Sequence, residues 1–332
     1  MLLSCLASLP FWGTTLPQQS VPIPAKLVEG IWYVQPVTSS GDTLTFYTDS
    51  GGGFVFLLEE VAQELDLPIE QVQMGGRTAS VAPMPAFKAN AWIPGPVSGS
   101  PTGEKLLTLP WNEETKQILP ETASGKPLGS GFLGRWWFAD RVWTFDYPQQ
   151  HMYLHKGALP AESMTDHKAL LGFQVDSTGR RTTHFPRIRV AVDGDSLDLL
   201  FDTGAQTTLT AAAQQKAGGT SGRRATSFIT RSVFEKWQQK HPDWRVIEKA
   251  EAGTGAAMIE VPQVSIAGYT VGPVWFTQRP DNAFQEWLSQ MMDKPIEGAL
   301  GGSALQYFRV TADYPSAVAY FDKEPGLPSP KK

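Results

Sequence analysis

Residues 131–148 read GFLGRWWFADRVWTFDYP, and residues 298–315 read GALGGSALQYFRVTADYP. Aligned without a gap, both run Gly-x-Leu-Gly, then eleven residues, then Asp-Tyr-Pro. Gly131, Leu133, Gly134, Asp146, Tyr147 and Pro148 match Gly298, Leu300, Gly301, Asp313, Tyr314 and Pro315, and Thr144 matches Thr311. Such a match reads as an internal duplication. A second pair precedes the first: TLTFYTDSGG at 43–52 and SLDLLFDTGA at 196–205. Each is an apolar strand ending in Asp-Ser/Thr-Gly and a small residue. Each also follows a strand and a tight turn, the hairpin signal: Ile31 to Val37 before Ser40-Gly41-Asp42, and Ile188 to Val192 before Asp193-Gly194-Asp195. Asp49 precedes Gly131 by 82 residues, and Asp202 precedes Gly298 by 96. The extra length falls between Ala213 and Arg245. There Gly218 to Arg224 reads as a polar surface loop, and Phe228 to Lys240 as an added amphipathic helix.

Composition agrees with one β unit used twice. The 332 residues suit two domains of about 150 residues each. Apolar residues make up 41% and charged residues 18%, enough to build packed cores. With 31 Gly and 26 Pro the chain is turn-rich, which leans towards β structure. A net charge of −5 argues against nucleic acid as a partner, since phosphate binding needs a basic field. The single cysteine, Cys5, can form no internal disulfide and no Cys-based zinc site. No run of 18 apolar residues occurs. Leu2-Leu3-Ser4-Cys5 resembles the lipobox of bacterial lipoproteins but has too short an apolar lead. It reads equally as a truncated signal with lipidation at Cys5, hence a membrane tether, or as an apolar terminus.

Residues 1–28 are expected to be that terminus and a tether. Residues 29–158 form the first lobe, 168–323 the second, and 324–332 a tail, with 158–168 as the link. Hairpins are expected at Gln71 to Ala82, with Gly75-Gly76 at the tip, and at Val246 to Val261 around Gly253-Thr254-Gly255. Short helices are expected at Leu57 to Leu65, Ala211 to Ala217 and Phe284 to Met292.

Asp202-Thr203-Gly204-Ala205 after an apolar strand, followed by Gly298-Ala299-Leu300-Gly301, resembles the aspartic peptidases, most nearly their bacterial retropepsin-like branch. Asp49-Ser50-Gly51-Gly52 with Gly131-Phe132-Leu133-Gly134 is a similar, weaker copy, and the resemblance spans roughly residues 29–323. It implies a mainly β fold of two homologous β-barrel lobes related by a pseudo-two-fold axis. It further implies an Asp49/Asp202 dyad sharing one proton, one member activating water and the other hydrogen-bonding the scissile carbonyl. The substrate would be a peptide or protein, hydrolysed by a monomer without metal or cofactor. Gly51 and Gly204 would permit the tight turns, and Ser50 and Thr203 would bond across the interface. Ala205 would complete the second loop. Leu133 and Leu300 would pack beneath it within the Gly-x-Leu-Gly strands, and the Gly75-Gly76 and Gly253-Gly255 hairpins would be flaps over the cleft.

The sequence departs from that pattern in two places. Residues 71–91 carry no flap tyrosine, and Gly52 stands where serine or alanine is usual, which reads as a loosened first loop. These departures motivate an alternative, an inactive peptide-binding or scaffold protein of the same fold. Gly129 to Gly134 also satisfies a dinucleotide fingerprint but lacks its βαβ setting. His151 and His155 are expected as solvated edge residues, and Trp136, Trp137 and Trp143 as core. Export, as a periplasmic or membrane-anchored protein, is expected over a cytoplasmic address.

Overall fold

Val-Trp-Thr-Phe-Asp at 142–146 alternates so that Trp143 and Phe145 enter one core while Thr144 faces the other side of its sheet. A computed structural model describes residues 19–122, 124–157, 159, 164–218 and 221–323. Cys5, the tail and much of the expected link lie outside them. In that structure Val142–Asp146 pairs antiparallel with Arg309–Asp313, Thr144 lying opposite Thr311. These two strands form the middle of a six-stranded antiparallel sheet. Its order is Gln19–Ile23, His151–Lys156, Val142–Asp146, Arg309–Asp313, Val318–Asp322, Lys168–Leu170.

The fold is mainly β. An eight-stranded sheet is built from the first half in the order Ala25–Val28, Ile31–Val34, Phe46–Thr48, Gly131–Leu133, Val55–Leu58, Leu106–Leu109, Arg77–Ala82, Glu70–Met74. A nine-stranded sheet comes from the second: Val246–Ile247, Met258–Val261, Val274–Arg279, Ser227–Thr230, Gly298–Leu300, Asp195–Phe201, Arg187–Val192, Val264–Ile266, Tyr269–Val271. None of these sheets closes into a barrel, contrary to the expected β-barrels. The strands that run into Asp-Tyr-Pro pair with each other in the common sheet, so the sheet of either half keeps two free edges. One core cluster runs from Trp32 and Phe46 through Trp143 and Phe145 to Val310 and Phe321.

Several local expectations need correcting. Val-Phe-Leu-Leu at 55–58 is a buried strand between Gly131–Leu133 and Leu106–Leu109, and the helix begins only at Glu59. Four apolar residues in a row carry no period, and β-branched Val55 and aromatic Phe56 suit a sheet. Likewise Ser227–Thr230 is a strand, and the amphipathic helix is Arg231–Lys240, burying Phe234 and Trp237. Arg223 and Arg224, expected in a surface loop, lie in strand Arg223–Ala225, which pairs with Gln206–Thr208. The turns over Ala283–Met291 are irregular, one wide and one tight, rather than an α-helix. His155 is only partly exposed, with Nε2 2.7 Å from the Thr144 hydroxyl. Helix Ala211–Ala217 forms as expected, capped by the Thr210 hydroxyl and ended at Gly218. Trp136, Trp137 and Trp143 are core.

Candidate active site

Strand Phe46–Thr48 delivers Asp49, and strand Asp195–Phe201 delivers Asp202. Each runs parallel to a Gly-x-Leu strand, Gly131–Leu133 and Gly298–Leu300 respectively. The Asp49 amide donates to the Leu133 carbonyl at 3.0 Å, and the Asp202 amide to the Leu300 carbonyl at 3.0 Å. Past the aspartates the chain turns back. The Gly51 amide donates to Asp49 Oδ1 (2.8 Å), and the Gly204 amide to Asp202 Oδ1 (3.0 Å).

The two turns then meet. The Ser50 amide donates to Thr203 Oγ1 (3.1 Å), the Thr203 amide to Ser50 Oγ (3.0 Å), and the Ser50 hydroxyl to the Phe201 carbonyl (2.8 Å). All of this is buried, where an unmade hydrogen bond is costly. Glycine is required where the loops cross. A Cβ on Gly51 would lie 2.8 Å from Asp202 Cγ, and one on Gly204 would lie 2.4 Å from Asp49 Cγ. Each glycine is therefore the floor of the opposite carboxylate. Gly131, Gly134, Gly298 and Gly301 are close-approach positions too: a Cβ at any of them would come within 2.2 Å of a backbone oxygen. Leu133 and Leu300 are fully buried below the loops.

The carboxyl groups of Asp49 and Asp202 lie side by side over Gly51 and Gly204 and line one cleft. Burial, then the adjacent Asp202 carboxyl, hold Asp49 well above the usual carboxylate range, against the Gly51 and Gly52 amides. Burial raises Asp202 as well, opposed by Asp49 and by the Gly204 and Ala205 amides. Asp202 is 7% exposed, while Asp49 is more open to a cleft of about 300 Å³ lined also by Tyr47, Ile118, Gln206 and Phe228. Among the described residues, no group of three His, Cys, Asp or Glu side chains is placed to hold a metal ion.

Gly52 does not loosen its loop. A Cβ there would sit 2.3 Å from the Phe132 ring, which is buried between Tyr47 and Phe56. The second half has the converse sizes, Ala205 in the loop and Ala299 in the strand. The glycine makes room for a phenylalanine.

The two expected flaps differ. Glu70–Met74 and Arg77–Ala82 form a hairpin turning at Gly75 and Gly76, both in left-handed backbone. With Phe54, Leu109 and Ile118, Met74 and Arg77 line a groove of about 700 Å³. Phe54, 49% exposed, borders both that groove and the aspartate cleft. The Gly253-Thr254-Gly255 turn is instead tied down. Glu251 accepts from Thr207 (2.9 Å), Thr254 and Arg279 (2.8 Å to each oxygen), and the Ala252 amide donates to the Thr208 carbonyl. The expected hairpin forms, Val246–Ile247 pairing antiparallel with Met258–Val261, but its tip is pinned rather than free.

Sequence reading missed Tyr47, which sits where the second copy has Leu200. Its buried hydroxyl donates to the Gly204 carbonyl, so the first half braces the second half's loop. The tyrosines of the two Asp-Tyr-Pro motifs are buried as well. Burial, and to a lesser extent the dyad charges, push both above the ordinary tyrosine value. Their repetition was the available signal. No protein-family model and no curated protein matches this chain.

Proposed function

We propose that the chain is a two-lobed aspartic endopeptidase in which Asp49 and Asp202 hydrolyse a peptide bond by activating water. The observation that carries this reading is the pair of reciprocally bonded Asp-Ser/Thr-Gly turns, which set the two carboxyls side by side on the wall of an open cleft. Two buried carboxyls in contact cannot both ionise readily, so the pair holds one proton and titrates as a unit. The ionised member takes a proton from water as the oxygen attacks the carbonyl carbon. The protonated member donates to the carbonyl oxygen, and the resulting gem-diol collapses as a proton passes to the leaving nitrogen. An extended substrate would lie along Phe54 and the Gly75-Gly76 hairpin, adding its backbone as a strand.

A pseudo-two-fold relation between lobes belongs to this proposal. The sequence match offsets Thr144 from Thr311 by 167 residues, and these two residues face each other across the central strand pair with hydroxyls 2.7 Å apart. A residue opposite its own counterpart is what a two-fold axis through that point requires. The inactive-scaffold reading leans on the glycine run beside Asp49 and on the flap without tyrosine; the Gly52–Phe132 packing gives Gly52 a steric reason and leaves the flap as the feature that favours it.

The test is Asp49→Asn and Asp202→Asn against a mixed peptide library. Each variant is expected to lose at least about a thousandfold in kcat/KM; activity surviving in both sinks the mechanism. The same variants report linkage. The dyad is raised in the folded state, so it favours folding at acid pH. That stability is lost as pH climbs from the ordinary aspartate range through the raised values. Urea unfolding of the Asn variants is expected to be flatter over that interval than that of the parent.

A further inference from the structure

The aspartate cleft adjoins cavities that the proposed reaction does not use. Gly53 and Phe54 line both the cleft and a neighbouring hollow of about 120 Å³. Arg135 and Trp136 form the far wall of that hollow, and Trp136 is also a wall of a larger cavity of about 730 Å³. Arg180, Arg181, His184, Asp140 and Pro315 are among that cavity's other lining residues. Shared walls therefore mark out a track from the dyad past Phe54 and Trp136 to two arginines.

The donors at its end are under-used. The Arg181 side chain is 18% exposed and stacks on Phe173 at 4.0 Å. Its one hydrogen bond, to the Pro315 carbonyl, is long at 3.4 Å, and the Asp140 carboxylate stands 4.0 Å away. His184 is 7% exposed, held in left-handed backbone, and its Nδ1 has no hydrogen-bond partner, Asp140 Oδ1 being 3.7 Å off. Buried guanidinium and imidazole groups are normally satisfied, and arginine's planar fork matches a carboxylate. Asp140 is too far to hydrogen-bond either group and its side chain is 58% exposed, so it competes for the site only through its charge. Arg180, paired with Asp176 at the surface, stands at the mouth.

We propose that this cavity binds the free C-terminal carboxylate of the peptide substrate, with Arg181 as its principal partner. The inference rests on the peptidase reading for what occupies the track. A main chain running along the track brings its own terminus to Arg181, whereas a side-chain carboxylate would have to branch from it. Trp136 and Pro315 supply apolar walls for the last side chains. The enzyme would then cut at a fixed short distance from the C-terminus.

Calorimetric titration of the Asp202→Asn protein separates binding from hydrolysis. The probes are an N-acetylated apolar tetrapeptide with a free carboxylate, its C-terminal amide, and an amidated analogue carrying one glutamate. The free acid is expected to bind about tenfold tighter than the amide, the worth of a charge-assisted hydrogen bond. Arg181→Met should abolish that preference, and Asp140→Asn, which removes a competing carboxylate, should widen it. Equal binding of acid and amide overturns the proposal, as does a glutamate amide that binds as well as the acid. If Arg181→Met fails to fold, Asp140→Asn decides alone: an unchanged preference refutes the site. Loss of hydrolysis in the parent with the acid preference intact would instead count against the peptidase reading and leave the site standing.

Discussion

The two aspartate turns are built alike almost bond for bond, and the hairpins beyond them are not. Around Asp49 and Asp202 the same amides reach the same acceptors at nearly the same distances. Where the two turns bond to each other, neither can drift without breaking the Ser50–Thr203 bonds. Farther out the halves face no common partner. There one keeps a hairpin tipped by two glycines, and the other folds its turn onto Glu251 and Arg279. Shared chemistry holds the first region to one geometry, and nothing shared holds the second.

The largest effect should come from the pinned turn. Glu251→Ala leaves Arg279 facing Thr207 and Thr254 without its carboxylate, in a site where Glu251 is almost wholly buried. Breaking such a pair from one side costs about 3 kcal/mol, measurable as a lower urea midpoint at unchanged slope. No counterpart of this loss exists in the first half, so removing a charge from its hairpin, as in Arg77→Ala, should change stability by less than about 0.5 kcal/mol.

The turns themselves can be broken unequally. Ser50 Oγ makes two hydrogen bonds, to the Thr203 amide and the Phe201 carbonyl, whereas Thr203 Oγ1 accepts one, from the Ser50 amide. Ser50→Ala should therefore cost about 2.5 kcal/mol and Thr203→Val about 1.5 kcal/mol. Equal costs would mean that the bond to the Phe201 carbonyl contributes nothing.

Gly52 sharpens the comparison further. Gly52→Ala drives a methyl into the Phe132 ring and should cost about 2 kcal/mol by overpacking. Adding Phe132→Ala, which recreates the alanine pair of the second half, should return part of that loss. The double-mutant cycle would then show a coupling of about 1 kcal/mol. Additive losses would show that Gly52 is not there for Phe132.

What could be read in advance follows the range of the interaction. Asp-Ser/Thr-Gly, Gly-x-Leu-Gly and the Gly75-Gly76 tip are local patterns repeated in order, and the structure brings Asp49 and Asp202 together as they imply. Glu251 with Arg279, Gly52 with Phe132, and Tyr47 with the Gly204 carbonyl are pairs between segments far apart in the chain. No periodicity marks them. Leu57 and Leu58 were misread as helix for a related reason: the identity of strand Val55–Leu58 comes from neighbours at 106–109 and 131–133 rather than from its own pattern. The absence of barrel closure was likewise set by long-range pairing, in this case between the two halves.

The smallest effect separates the two hairpins most cleanly. Gly75 and Gly253 both occupy left-handed backbone, with φ of 57° and 87°, and neither would place a new methyl within 4 Å of another group. Alanine at either position therefore meets the same local penalty, about 1 kcal/mol. Where that penalty registers depends on what the turn is fastened to. The Gly253 turn is bonded through Glu251 and Ala252 to Thr207, Thr208 and Arg279, so strain there must be carried by the fold, and Gly253→Ala should lower the global urea midpoint. Among the described residues no hydrogen bond fastens Gly75-Gly76 to another segment, so Gly75→Ala can relax by fraying. Its cost should appear as faster amide exchange across Glu70–Met74 and Arg77–Ala82, with the midpoint barely moved. Gly75→Asn, which tolerates left-handed backbone, should restore slow exchange. A global loss from Gly75→Ala equal to that from Gly253→Ala would mean that the first hairpin is pinned as well.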